Sequence, residues 1–156
     1  MNHMISRKTK YGLQALLLLG REYGQGPILI ADLAVQGKIP RKFLETILLQ
    51  LRNAGVLNSR KGKGGGYSLA RAPAQISIGQ VVKILDGTIA PLECVKEGDA
   101  PSCPEALDCN SCGLRLVMKD AGDAMTGILD HTSLEDMQNR SVEVARKLQG
   151  VVDYQI

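Results

Sequence analysis

The chain of 156 residues has no tryptophan, one phenylalanine and four tyrosines. With so few rings, Leu, Ile, Val, Ala and Met must fill whatever core it builds. No apolar run exceeds Ala15–Leu19, far short of the roughly 20 residues a bilayer span needs, so no membrane helix is expected. The N-terminal stretch MNHMISRKTKYG is basic but lacks the apolar centre and small-residue cleavage site of a secretory signal. A cytoplasmic location is expected. The two histidines, His3 and His131, have no acid–base constellation around them, which argues against an enzyme; His131 is expected to meet the C-terminal dipole of its helix. Cysteine is absent from residues 1–93 and from 113–156.

Acidic residues are scarce in the first half. Residues 1–75 hold 12 Lys and Arg against Glu22, Asp32 and Glu45, a net +9; residues 76–156 hold 7 against 13, a net −6. A basic half joined to an acidic one suggests a polyanion-binding module followed by one that does not touch nucleic acid.

The expected fold is mostly α with a small β-wing. Apolar spacing predicts helices over Tyr11–Tyr23, Ile30–Gln36 and from Pro40 to about Asn53, where Leu44, Ile47, Leu48 and Leu51 form one buried stripe. Val56–Ser59 and Gly66–Ala70 read as short strands, and Ser77 caps a fourth helix that Asp86-Gly87 ends. Thr88–Ser111 has no periodicity. From Gly113 to about Asp130 a helix returns, with Leu114, Met118, Ala121, Met125 and Ile128 as a heptad seam. Thr132 with Glu135, or Ser133 with Asp136, offers a capping box for a last helix. The expected organisation is a DNA-binding domain over 1–87, a cysteine-rich loop over 88–112, a dimerisation helix and C-terminal helix over 113–150, and a tail over 151–156.

A short helix, the tight connector Lys38-Ile39 and a longer helix make a helix-turn-helix pattern. Its second helix would enter the major groove by its N-terminal residues. Arg41 and Lys42 suit phosphate or the guanine edge, Glu45 suits cytosine N4, and Phe43 suits a thymine methyl or the core. The segment RKGKGGG then reads as a wing tip, with Arg60, Lys61 and Lys63 as charge and glycines, Gly65 among them, that let the backbone approach a phosphate. It does not match the G-x-x-x-x-G-K-[ST] pattern of a nucleotide-binding loop. Lys10, near the start of the first helix, could meet phosphate.

The cysteines stand as Cys94, eight residues, Cys103, five, Cys109, two, Cys112. Reduced thiolates are soft ligands for zinc and for iron–sulfur clusters. Zinc commonly takes four cysteines in two close pairs, and only one close pair is present. Pro101, Pro104, Asn110, Ser111 and Gly113 suit a tight loop around a cluster. A thiol redox pair at Cys109 and Cys112 is a third reading. The residues leave the three open.

Several stretches together resemble the Rrf-two family of bacterial transcriptional regulators, which includes the IscR, NsrR and CymR types. They are KTKYGLQAL, FLETILLQLRNAGVLNSRKGKGGGYSLA, ISIGQVVKILDG, the cysteine loop and ILDHTSLEDM, within about residues 4–137. The resemblance implies a homodimer, a winged helix-turn-helix at each end with a long dimerisation helix, and a double-stranded DNA operator as partner. It also implies a two-iron or four-iron cluster. By position Cys94, Cys103 and Cys109 are three ligands. Cys112, where IscR-type members carry histidine, is the candidate fourth. In NsrR-type members the fourth ligand is an acid at the position of Lys10, which cannot serve. IscR-type DNA contacts fall on Phe43, Glu45, Arg52 and Lys61. The competing reading is a winged-helix regulator or adaptor with a structural zinc site or partner-controlled activity and no redox sensing.

Overall fold

The computed structural model describes residues 5–96, Cys103 and 108–152, with side chains to Gln149. His3, Pro101, Pro104 and the tail beyond Val152 lie outside the described residues. Six helices and one two-stranded antiparallel sheet follow in the order α1 (Arg7–Arg21), α2 (Ile30–Gly37), α3 (Arg41–Asn53), β1 (Leu57–Arg60), β2 (Gly66–Leu69), α4 (Ile78–Asp86), α5 (Gly113–Asp130) and α6 (Leu134–Val152). Single 3-10 turns lie at Pro73–Gln75 and Glu93–Val95. This is the expected mostly helical chain with a small wing. Among the described residues, no helix is long and apolar enough to cross a membrane.

The core is aliphatic, as the shortage of rings requires. Leu16, Leu33, Leu44, Ile47, Leu48, Leu51, Val56, Ile76, Val81 and Leu134 are all fully buried in one cluster. Helix α1 runs through its centre. At Gly12 a β-carbon would meet Leu85 and Ile47, so α3 and α4 close on α1 where it has no side chain. Leu134 brings the first turn of α6 into this core. Backbone bonds fix it there: Ile78 N–H donates to Thr132 O and Leu134 N–H to Ile76 O, both at 2.8 Å. A second, smaller cluster joins Ile78, Val82 and Ile89 to Met125 and Leu129 of α5.

Helix α1 begins four residues earlier than its apolar spacing suggests. Ser6 is its N-cap, and the Ser6 hydroxyl accepts from Thr9 N–H at 3.1 Å. Asp86, the last residue of α4, accepts from both the Ser6 N–H (2.8 Å) and the Ser6 hydroxyl. A partner 80 residues away could not be read from the local pattern. The other end also differs. The helix stops at Arg21, Glu22 caps it, and Tyr23 is exposed outside it.

Partial burial pushes the Asp86 carboxyl upward, but the two Ser6 bonds and the Lys8 charge outweigh it, so the group stays below its ordinary value. A depressed carboxyl supplies stability above its unfolded-state pKa and loses it as pH falls through the folded value. Stability should therefore hold at neutral pH and decline below about pH 4 through this group. Asp86→Asn should lower stability at pH 7 by about 0.5–1 kcal/mol, the range of a weakened exposed cap. Thermal unfolding at pH 7 and at pH 3 checks both; a variant equal to the parent at pH 7 would remove the clamp from the account.

Candidate DNA-binding face and cysteine loop

Helix α2 ends on Lys38, in the left-handed region at φ 50° and ψ 41°. Its N–H returns to Val35 O, and the next N–H, of Ile39, returns to Ala34 O. Buried Ile39 then turns the chain into α3, and Gln14 of α1 holds the corner by donating to Gly37 O at 2.8 Å. The result is a tight corner between α2 and α3.

Helix α3 divides as its sequence suggests. Leu44, Ile47, Leu48 and Leu51 are wholly buried, while Arg41, Lys42, Phe43, Glu45, Thr46, Leu49 and Arg52 are exposed. Phe43, which could have faced either way, is 59 % exposed and leans on the Tyr11 ring, centroids 6.5 Å apart. Tyr11 thus supports the start of α3, and exposed Lys10 precedes it in α1. Arg41 Nε donates to Glu45 Oε1 at 3.2 Å in an exposed pair. Such a pair adds at most about 1 kcal/mol and holds neither side chain firmly. Arg52 donates to Ser59 Oγ and Asn53 Oδ1, tying the end of α3 to β1.

Strands β1 and β2 pair from Leu57↔Leu69 to Arg60↔Gly66, leaving Lys61–Gly65 as the tip. A bridge between Ile28 and Tyr67 adds a third short edge that the sequence pattern had not shown. Arg60, Lys61 and Lys63 are exposed along the tip. Gly62, Gly64 and Gly66 have positive φ; Gly65 does not. Gly65 is glycine for another reason. It is buried, its N–H donates to Gly62 O, and a β-carbon there would lie 2.3 Å from Arg60 O. Its N–H is committed inside the turn, which it helps to close.

Cys94 and Cys112 lie beside the start of α5. Cys94 lies in the 3-10 turn, and Cys112 is the N-cap residue of α5. Arg115, in the first turn of α5, donates from Nε to Cys94 O at 2.9 Å, so that turn is fastened to the helix. Asp108 Oδ1 accepts from Asn110 N–H and Oδ2 from the Ser111 hydroxyl, folding the chain around Cys109. These bonds hold the Asp108 carboxyl below its ordinary value, the Asn110 N–H contributing most. All four cysteines are half-buried. Among the described residues, no three His, Cys, Asp or Glu side chains are already grouped to hold a metal ion.

The heptad seam of α5 is also redrawn. Met125 turns inward onto the second cluster, while Leu114, Val117, Ala121, Ala124 and Ile128, at steps of three and four, are all exposed. The last turn places His131 Nδ1 2.7 Å from Gly127 O, at the C-terminal dipole. Of the two capping boxes, Ser133 with Asp136 forms. Sequence pattern marked Lys38 only as part of the tight connector with Ile39; its left-handed cap, where glycine or asparagine is preferred, comes from the structure.

Known proteins carry the same arrangement. The Rrf2 family profile, described as an iron-dependent transcriptional regulator, matches residues 5–140. An rrf2-like HTH-type transcriptional regulator of Rhodobacter capsulatus is 39 % identical over 137 residues, covering 86 % of this chain and 91 % of that protein. CymR of Bacillus subtilis is 34 % identical over 133 residues, covering 85 % and 88 %. The solved structure of that CymR, named there the global cysteine regulator, superposes with a TM-score of 0.71 at 32 % identity, over 90 % of this chain and 98 % of CymR. The structure of T. potens IscR gives 0.71 at 26 % identity, over 90 % and 89 %. These relatives are transcriptional regulators and not enzymes. The chain belongs to the Rrf2 family of transcriptional regulators.

Proposed function

We propose that the protein is a cytoplasmic, homodimeric, sequence-specific DNA-binding regulator that reads a double-stranded operator with α3 and the wing. One observation supports this most: α3 buries a complete leucine and isoleucine stripe and leaves Arg41, Lys42, Phe43 and Glu45 exposed at its N-terminus, beside a basic wing. The exposed apolar face of α5 is a surface a second copy would cover, setting two α3 helices roughly 34 Å, one helical turn, or a multiple apart.

Salt and sequence dependence of binding test it. With about six phosphates neutralised, log K against log salt should fall with a slope of about −5. Arg41→Ala and Lys63→Ala should weaken operator and random duplexes alike, whereas Glu45→Ala should alter base preference. Equal loss on both duplexes for the Glu45 variant would refute its reading role. Lys38→Gly should move two measurements in opposite directions. Relief of a left-handed side chain should raise stability by about 1 kcal/mol, while loss of the charge weakens DNA binding. A variant that is stabilised and binds as the parent does would take Lys38 out of the interface.

The finer reading is that Cys94, Cys103, Cys109 and Cys112 hold an iron–sulfur cluster, of two or four irons. Four half-buried thiols are a soft donor set that fits such a group chemically, Cys112 capping α5 and the Cys94 turn being fastened to it, and the family description and the IscR relatives support it. When bound, the group would supply a redox-responsive tie across the loop. The protein's part is to position thiols: Asp108 shapes the turn around Cys109, and Arg115 fixes the Cys94 turn to α5. The same four-sulfur set also supports a second reading, a structural zinc ion.

A further inference from the structure

A slot of about 290 Å³ opens between the end of α4, residues 88–95 and α5. We propose that it binds a small zwitterion, a free α-amino acid with a short apolar side chain. Pockets for drug-sized ligands run from about 300 Å³ upward, so this one suits something smaller.

Its chemistry narrows the class. Ile89, Pro91 and Val95 supply apolar surface, and Gly122 lets Pro91 close the wall against α5, since a β-carbon there would lie 3.0 Å from Pro91. Along the rim stand two ion pairs, Lys83–Asp130 at 2.7 Å and Lys119–Asp123 at 2.5 Å. Both are part-exposed, and such pairs contribute little to stability, so each is easily exchanged for contacts to a ligand. A ligand with one carboxylate would satisfy a lysine and leave an aspartate facing it. An amine would do the reverse. An α-amino acid offers both charges at a fixed short separation, and its side chain can lie on the apolar surface.

The slot stays open in a dimer. Lys119, Gly122, Asp123 and Thr126 share one face of α5, and the exposed apolar residues Leu114, Val117, Ala121, Ala124 and Ile128 share the opposite one. Val95, in its wall, follows Cys94, so an occupant touches the turn that carries this thiol.

The test is calorimetric titration of the full-length protein with L-valine, isovalerate, which lacks the ammonium, and isobutylamine, which lacks the carboxylate. L-Valine should bind and raise the melting temperature, the rise growing with the logarithm of its concentration above Kd. The two half-ligands should bind more weakly by about tenfold or more. Asp123→Asn should weaken L-valine to a similar degree, and Thr126→Phe, which fills the slot from α5, should abolish binding. No heat and no thermal shift with L-valine, or equal binding of either half-ligand, overturns the proposal. Because the readout is binding alone, it does not depend on the DNA-binding proposal.

Discussion

Gly79→Ala should lower stability by about 2 kcal/mol, although alanine is the better helix former by up to about 1 kcal/mol. The reason is the neighbour. A β-carbon at position 79 would overlap the Asp130 carboxylate and lie 2.8 Å from the Asp130 backbone nitrogen. The carboxylate could rotate, at the expense of its bond to Lys83. The backbone nitrogen cannot, because the turn that follows is anchored by Ile78 N–H on Thr132 O and Leu134 N–H on Ile76 O. The wedge must therefore push the end of α5 off α4. For a chain of this size a drop in melting temperature of roughly 4–8 °C is expected at fixed protein concentration. Gly127→Ala is the control: nothing lies within 4 Å of its β-carbon position and its φ is not positive, so it should stabilise by about 0.5–1 kcal/mol. A Gly79→Ala protein as stable as the parent would mean that α4 and α5 are not packed this closely.

That contact shows which parts of the structure sequence pattern reaches. The α3 stripe, the wing, the Ser77 cap and the start and end of α5 all follow from spacing within a few residues, because each rests on local period or turn chemistry. The Asp86–Ser6 clamp, the Ile28–Tyr67 bridge and the Gly79–Asp130 approach join residues far apart, and no window of sequence contains both partners. The α5 seam fails for a related reason. Met118 and Met125 fit a heptad as well as Val117 and Ala124 do, and only the docking of α4 decides that Met125 faces inward. Gly65 was legible as a wing residue; that its N–H is spent on Gly62 was not, since a run of three glycines does not say which of them needs positive φ and which needs the space. At the proposed DNA-binding face, Arg41, Lys42, Glu45 and the wing lysines come from local pattern. Lys38 required the backbone dihedral.

Replacing Cys94, Cys103, Cys109 and Cys112 together by serine should abolish uptake of iron, sulfide and zinc, since neutral hydroxyls do not replace thiolates for soft metals. The parent, purified without oxygen, should carry visible absorption with iron and sulfide in equal amounts. A colourless parent with one zinc per chain selects the zinc reading instead. Single changes grade the argument. Cys112→His keeps a ligand where IscR-type members have one and should retain the centre with an altered spectrum, whereas Cys112→Ala should lose it. Arg115→Ala leaves every thiol in place but frees the Cys94 turn from α5, and should weaken metal retention by about tenfold, the lower end for a residue that only positions a ligand. Metal uptake should also protect the loop from proteolysis. The decisive comparison is on DNA: only a centre whose stability differs between free and operator-bound protein can change the affinity. The parent should bind its operator differently with the centre intact and after oxidation, and the four-serine chain should bind identically in both conditions. A parent that is equally insensitive would leave the thiols a structural role alone.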